Sequence, residues 1–170
     1  MLAQADQPTP TMTWLYFALL TVGCWGVYGV FLHSGVMAFD PKTDPNARYK
    51  AFLFVGIAYF LTAVVAPLIM LLVNGASWDF FSNGAGLTWS LLAGIVGAAG
   101  AFFVLMAFGA RGTPAVVMSI IFAGAPIVNA VVAIVKHPPA GGWGAISWQF
   151  VLGIVLAAAG GCLVTLYKPS

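Results

Sequence analysis

The stretch Leu105–Val135, LMAFGARGTPAVVMSIIFAGAPIVNAVVAIV, decides the fold class of this chain. It contains the end of one long apolar run, the short connector ARGTP and the whole of a second apolar run. A helix needs about 20 mostly apolar residues to cross the hydrocarbon core of a bilayer, and glycine followed by proline marks a turn between helices. The stretch therefore predicts two consecutive membrane-spanning helices, the second with Pro126 in its interior.

The composition extends this prediction to the whole chain. Of its 170 residues, 62% are hydrophobic and only 6% are charged, and the mean hydropathy is +1.02. Soluble proteins average about 25% charged residues, so ten charged side chains are too few to cover a water-facing globule. We expect an integral membrane protein in a lipid bilayer, and a net charge of +2 gives no indication of a nucleic-acid partner.

Five apolar runs are long enough to span, which predicts an all-α, polytopic bundle of five transmembrane helices. The N-terminus lacks the basic segment of a secretory signal, and the first run is too long for one. We therefore expect residues 1–13 to form an uncleaved tail, residues 14–167 a single membrane domain, and residues 168–170 a second tail. The predicted spans are residues 14–36, 51–73, 88–109, 114–135 and 147–167.

The basic residues predict one orientation in the membrane. With five spans the two termini lie on opposite sides, and five of the six basic residues then share one side, with only Lys136 on the other. Cytoplasmic loops carry an excess of Lys and Arg. We expect a cytoplasmic (inner) membrane protein with the N-terminal tail outside and the C-terminal tail in the cytoplasm. The five residues on the cytoplasmic side are Lys42, Arg48, Lys50, Arg111 and Lys168.

Glycines recur at close spacing in three of the predicted spans. Small residues let helix backbones approach closely in lipid, where little hydrophobic force acts between helices. Similar spacings occur in nucleotide-binding loops, but here no strand precedes them. We predict helix-packing roles for Gly23, Gly26, Gly29, Gly94, Gly97, Gly100, Gly153 and Gly160, with Ala157 and Gly161 contributing to the last group.

The fourth span carries its polar and small residues on one predicted stripe. Ser119, Phe122, Pro126, Asn129 and Ala133 follow at helical spacing, whereas Val117, Ile121 and most of the valines lie around the other side, which suits lipid. Two interpretations stay open. Pro126 and Asn129 either form a kink and an interhelical hydrogen bond, or they line a substrate path.

Three further polar or reactive side chains lie in the apolar runs. His33, near the end of the first span, is either an interfacial histidine or a proton relay. Cys24 and Cys162 are predicted to be small buried hydrophobic residues and not a disulfide. Neither cysteine has metal-ligand spacing, and we expect no metal site and no cofactor.

The order of these features resembles one five-helix repeat of the EamA-like drug/metabolite transporter superfamily. The resemblance lies in Trp25-Gly26, in Arg48 at the start of span two, in the stretch Leu105–Val135, and in the closing helix with Gln149, Gly153 and Gly160. Full-length members usually carry two such repeats in inverted orientation. In place of the Gly-Glu pair that members commonly have after the fourth span, this chain has Lys136-His137.

The resemblance implies a half-size transporter or permease subunit for a small organic solute, completed by a second five-helix unit or another membrane subunit. The alternative is a non-transporting membrane scaffold or accessory subunit with the same fold. The chain contains no glutamate, so the proton-for-cation exchange of the four-span relatives is not expected. No carboxylate pair or nucleophile-base arrangement is present, so we do not expect an enzyme. The substrate-path candidates are Trp25, His33, Ser119, Pro126 and Asn129.

Overall fold

The structure is a computed structural model that describes residues 12–167, without the side chain of Phe80. The predicted tails therefore lie almost entirely outside the described residues. The described part contains helices and no strand, which confirms the all-α prediction, and five helices are long and apolar enough to cross a membrane. They are α1 (Thr13–Ala38), α2 (Ala47–Val73), α3 (Gly84–Gly109), α4 (Pro114–Lys136) and α5 (Trp148–Leu166).

The helices begin and end within a few residues of the predicted spans, and capping explains the early start of α3. Helix α3 begins four residues early because the side chain of Asn83 accepts a hydrogen bond from the backbone N–H of Gly86 at 3.0 Å. Ser147 caps α5 in the same way, and Pro114 occupies the first turn of α4, where its missing N–H is no loss. Hydropathy alone does not register these local hydrogen bonds, so it places the ends less accurately than the spans.

Proline affects two of the helices differently. In α2, Pro67 follows a π-helical segment, Leu61–Val65, in which the N–H of Ala66 bonds to the carbonyl of Leu61. This wider, π-helical turn ends at Ala66, directly before Pro67, which has no backbone N–H to donate. In α4, Pro126 lies inside a helix that continues to Lys136. Pro126 stands out in the sequence as a helix-interior proline, whereas the irregularity before Pro67 was not predicted.

The buried core lies at one end of the bundle. It joins the last turns of α1 and α3 to the first turns of α2 and α4, and Leu105 at its centre is fully buried. We call this end the basic end: it carries the connectors 39–46 and 110–113, together with Lys42, Arg48, Lys50 and Arg111. The cluster consists of Leu32, Val36, Ala51, Val104, Leu105, Phe108 and Met118.

Toward the other end, which we call the far end, the helices bury little against one another. Large apolar side chains there, such as Leu20 on α1 and Ile95 on α3, are about two-thirds exposed, at 64% and 63%. Helix α5 packs only on α4 among the described helices. A surface of this kind is stable against lipid or against another membrane subunit, and not against water.

Two expectations about individual side chains are wrong. Val117 and Ile121, predicted on the lipid side of α4, pack against the core cluster, because the basic end of α4 sits between α1 and α3. Cys24 and Cys162 are both exposed on the surface of the chain, and they are free thiols. The apolar character of their surroundings was predicted correctly, but in a membrane helix an apolar position is as suitable for lipid contact as for burial.

Candidate functional site

A large apolar cleft opens between α1, α3 and α4. Its volume is about 700 Å³, which falls within the range of about 300–1,000 Å³ that is usual for small-molecule sites. The core residues Ala101 and Val104 line the cleft, which follows α3 from Ala107, near the basic end, to Val96, nearer the far end. The cleft remains open because the three helices converge only at the basic end.

The glycines of α3 account for part of this space. Gly97 and Gly100 line the cleft, and a Cβ added to either would meet no atom within 4 Å. Among the eight predicted packing glycines, Gly29 alone approaches another helix closely, through Met118. A Cβ added to any of the other seven would meet nothing within 4 Å, so these glycines make no close helix contact within the described part of the chain.

Trp25 on α1 is the largest side chain in the cleft wall that the sequence had singled out. It remains 39% exposed, and its ring centroid lies 5.5 Å from that of Tyr28 at a tilt of 49°. Phe103 and Phe122 line other parts of the same cleft. The lining is therefore aromatic and aliphatic, and it suits a solute with an apolar or aromatic body.

Asn129 lies on the same side of α4 as this lining. It follows Phe122 by seven residues and Ala125 by four, a spacing that places all three on one helix face, with Asn129 one turn nearer the far end. The residue is exposed, and its amide makes no hydrogen bond to another described residue. A side-chain amide without a hydrogen-bond partner is unfavourable in the hydrocarbon core of a membrane, so Asn129 needs a partner there.

Ser119 and Pro126 lie away from the cleft lining. The hydroxyl of Ser119 donates to the carbonyl of Ala115 in its own helix, at 2.6 Å. The carbonyl of Ser119 lies near Gly161, so this side of α4 faces α5. The stripe predicted on α4 is thus divided: Asn129 belongs to the side of the cleft, while Ser119 belongs to the packing between α4 and α5.

The contact between α4 and α5 depends on a glycine at its centre. A Cβ added to Gly161 would collide with the Cβ of Ala123. A Cβ added to Gly153 or Gly160, which were also predicted to pack, would meet no atom of another helix within 4 Å. The packing role predicted for Gly161 is therefore confirmed, whereas Gly153 and Gly160 make no close contact within the described chain.

His33 lines a different cavity, at the basic end. Its ring stands edge-on to Phe108, with 5.5 Å between the centroids, and its Nδ1 atom is buried without a hydrogen-bond partner among the described residues. Arg48 lines the same cavity of about 330 Å³. The sequence does not indicate that His33 and Arg48 share a cavity, because they lie on different helices.

The hydroxyl groups of the spans are mostly satisfied within their own helices. Thr21, Thr62 and Thr165 donate to backbone carbonyls three or four residues earlier, a common way of accommodating these side chains in membrane helices. Within residues 12–167, no charged or polar residue belongs to the buried core. Few polar groups are therefore left to bind a solute.

At the far end, one contact joins α3 to α4. The Nζ atom of Lys136 lies 3.9 Å from the ring centroid of Trp89, a cation–π geometry. Trp89 itself is 61% exposed, as expected of an aromatic ring near a membrane surface. Lys136, the single basic residue at the far end within the described chain, therefore lies over the ring of Trp89.

Across the described part of the chain, no three metal-ligating side chains lie together, so no metal centre is assigned there. Comparison with known proteins finds no matching protein family, no matching curated protein and no matching solved structure.

Proposed function

We propose that the chain is one half of a membrane transporter for a small organic solute, and that a second five-helix unit completes it. The observation that carries the proposal is Asn129, an exposed amide without a described partner on the cleft side of an apolar helix. Leaving such a group unpaired in hydrocarbon costs about 2–7 kcal/mol. A solute, water in a path, or a polar group of a second subunit would remove that cost.

The shape of the bundle supports the same proposal. The cleft between α1, α3 and α4 has the volume of a small-molecule site and an almost wholly apolar lining. In transporters built from two repeats, the substrate site lies at the interface of the repeats, near the middle of the membrane. The apolar lining favours a solute with an aromatic or aliphatic body and few charges. The resemblance to a single EamA-like repeat agrees with this arrangement.

The second unit is best supplied by a separate chain of opposite orientation. Lys42, Arg48, Lys50 and Arg111 lie at the basic end, and Lys136 is the one basic residue at the far end within the described chain. This asymmetry favours insertion in one direction. An antiparallel dimer of identical chains would require half of them to insert against the bias.

Orientation can be measured directly. After Cys24 and Cys162 are replaced by alanine, single cysteines are introduced in place of Gln4 in the tail and at Lys168, and each is labelled with an impermeant maleimide in intact cells. We expect the tail cysteine to react from outside and the cysteine at position 168 to react only after the cells are opened. Labelling in the reverse pattern would overturn the proposed topology.

Transport is tested with the chain reconstituted in liposomes, alone and together with a candidate second unit, which is a five-span membrane protein of opposite charge bias sought first among the neighbouring reading frames. The liposomes contain a mixture of neutral aromatic and aliphatic metabolites, and mass spectrometry measures which of them leave. We expect background release from the chain alone and release of a subset of solutes from the pair. Full transport by the purified single chain would contradict the two-unit proposal.

The alternative function is a membrane scaffold or accessory subunit that does not transport. The scarcity of free polar groups favours it, since the hydroxyl groups of Thr21, Thr62 and Ser119 are engaged by their own helices. Asn129→Leu separates the two functions. Loss of release by at least about tenfold with intact co-purification supports a path residue, whereas loss of co-purification supports the scaffold. Val131→Leu, at an exposed position on another side of α4, is the matched control.

A further inference from the structure

The cavity at the basic end has a composition different from that of the large cleft. It lies where α1 ends, α2 begins and α3 ends, and its wall includes His33, Arg48, Phe108 and the two connector prolines, Pro41 and Pro45. Its volume of about 330 Å³ is at the lower limit of small-molecule sites. The cavity can therefore hold a small group, and its wall contains a cationic side chain.

Two nitrogen atoms in the side chains of this wall have no partner. Nδ1 of His33 and Nε of Arg48 are both buried, and neither makes a hydrogen bond within the described part of the chain. The other contacts of the two side chains are aromatic: His33 with Phe108, and the Cζ atom of Arg48 at 4.9 Å from the ring centroid of Tyr49. A buried donor on a charged group is costly when it has no acceptor, so Nε of Arg48 indicates a missing acceptor, and Nδ1 of His33 is a second polar atom beside it that lacks a partner.

The backbone of α3 makes room for the guanidinium group. A Cβ added to Gly109 would lie 2.5 Å from Nη1 of Arg48, so only glycine at this position allows the arginine to occupy its present place. Arg48 also belongs to the first turn of α2, where the helix dipole favours negative charge. The guanidinium group and the helix end thus favour the same kind of ligand.

The carboxylates of the neighbouring connector are engaged elsewhere. Asp44 accepts hydrogen bonds from Nζ of Lys50 and from the N–H of Asn46, and the bond from Lys50 lowers the pKa of its carboxyl group. Asp40 accepts from the hydroxyl of Thr43 and from the N–H of Lys42. Among the described residues, no carboxylate is hydrogen-bonded to Arg48, so its guanidinium group has no anionic partner there.

We propose that this cavity binds a phosphate group, carried either by a soluble metabolite or by the head group of an anionic lipid. Arginine recognises the oxygens of phosphate through its planar fork, and His33 supplies a further ring nitrogen on the opposite helix. The site is separate from the large cleft and does not depend on whether the chain transports. A phosphate group bound there would link α1, α2 and α3 at the basic end of the bundle.

The two sources are distinguished by two measurements on the full chain. In nanodiscs of phosphatidylcholine, inorganic phosphate and glycerol 3-phosphate are titrated while ³¹P line broadening is followed. In mixed micelles of phosphatidylcholine and phosphatidylglycerol, native mass spectrometry counts the phosphatidylglycerol molecules retained. Binding in the first measurement alone identifies a soluble ligand, binding in the second alone identifies a lipid, and both results support the site. Absence of binding in both measurements overturns it.

Variants decide whether the binding belongs to this cavity. Arg48→Gln should weaken binding about 10- to 100-fold, the usual effect of losing a charge-assisted hydrogen bond, and His33→Gln should weaken it less. Lys42→Gln removes the same charge from an exposed position in the connector and should change binding by less than about twofold. If Lys42→Gln weakens binding as much as Arg48→Gln, the attraction is diffuse and the proposed site is wrong.

Gly109→Ala provides a second variant that keeps every charge. Its Cβ would displace the guanidinium group, so we expect weaker phosphate binding while the melting temperature without phosphate stays near that of the parent chain. This variant remains informative if Arg48→Gln fails to fold. Unchanged phosphate binding in a folded Gly109→Ala protein would count against a site built around Arg48.

Discussion

The side chain of Met118 on α4 fills the space that a side chain at Gly29 on α1 would occupy. A Cβ at position 29 would lie 2.5 Å from Cγ of Met118 and 2.7 Å from its Sδ, and Met118 is itself only 6% exposed. This contact brings α1 to α4 beside the core cluster. It therefore helps to fix both the packed basic end and the starting point of the cleft.

Gly29→Ala should lower the free energy of unfolding by about 1–3 kcal/mol, because a well-packed interface resists an added methyl group. The measurement is equilibrium unfolding in mixed detergent micelles. Gly26→Ala is the control, since its Cβ would meet nothing within 4 Å, and it should be neutral or slightly stabilising. Equal destabilisation by both variants would show that the Gly29–Met118 contact does not carry the effect.

Gly161→Leu should separate α5 from α4, because the added side chain collides with Ala123. Since α5 packs on no other described helix, we expect faster proteolysis of the connector 137–147 and a lower melting temperature. Gly160→Leu, one residue earlier, has open space beside it and should behave like the parent chain. A reversed order of the two variants would contradict the packing of α5.

Gly97→Leu should fill part of the cleft without unfolding the chain. No atom lies within 4 Å of the added Cβ, so we expect a melting temperature close to that of the parent and a loss of solute release in the paired reconstitution. Gly153→Leu on α5 is the control outside the cleft. If Gly97→Leu releases solute as fast as the parent, the cleft between α1, α3 and α4 is not the path.

Lys136→Gln should loosen the far ends of α3 and α4. The cation–π contact with Trp89 is worth about 0.5–1 kcal/mol at an exposed site, and its loss should appear as a slightly lower free energy of unfolding. A double-mutant cycle with Trp89→Leu measures the coupling between the two side chains. His137→Gln removes the neighbouring side chain as a control, and a coupling energy near zero would show that the contact contributes nothing.

The connector between α1 and α2 should respond to acid through Asp44. Lys50 lowers the pKa of this carboxyl group, so its contribution to the folded connector is present above the unfolded pKa of about 3.9 and is lost as the pH falls through the lower, folded value. Carboxyl ¹³C shifts measure the midpoint directly. In Lys50→Gln the midpoint should rise toward 3.9, and an unchanged midpoint would contradict the ion pair.

The number of spans, their positions and the shared end of the basic residues followed from the sequence. Membrane helices satisfy their backbone hydrogen bonds internally, so the length and apolarity of each run determine whether it spans, independently of its neighbours. A local hydrogen bond to the side chain of Asn83 accounts for the early start of α3. The glycines of α1, α3 and α5 were likewise predicted to form small patches on their helix surfaces. Nothing in the sequence indicates which neighbour each of these patches faces.

Contacts between helices were decided by the tertiary structure alone. Whether Gly29 or Gly26 meets α4, whether Val117 faces lipid or the core, and whether His33 and Arg48 share a cavity all depend on the rotation and tilt of one helix against another. In an apolar bundle, lipid-facing and core-facing positions have the same composition, so hydrophobicity carries no information about that rotation. The sequence determined that five helices cross the membrane, and only close packing at the basic end determined which of their faces enclose the two cavities.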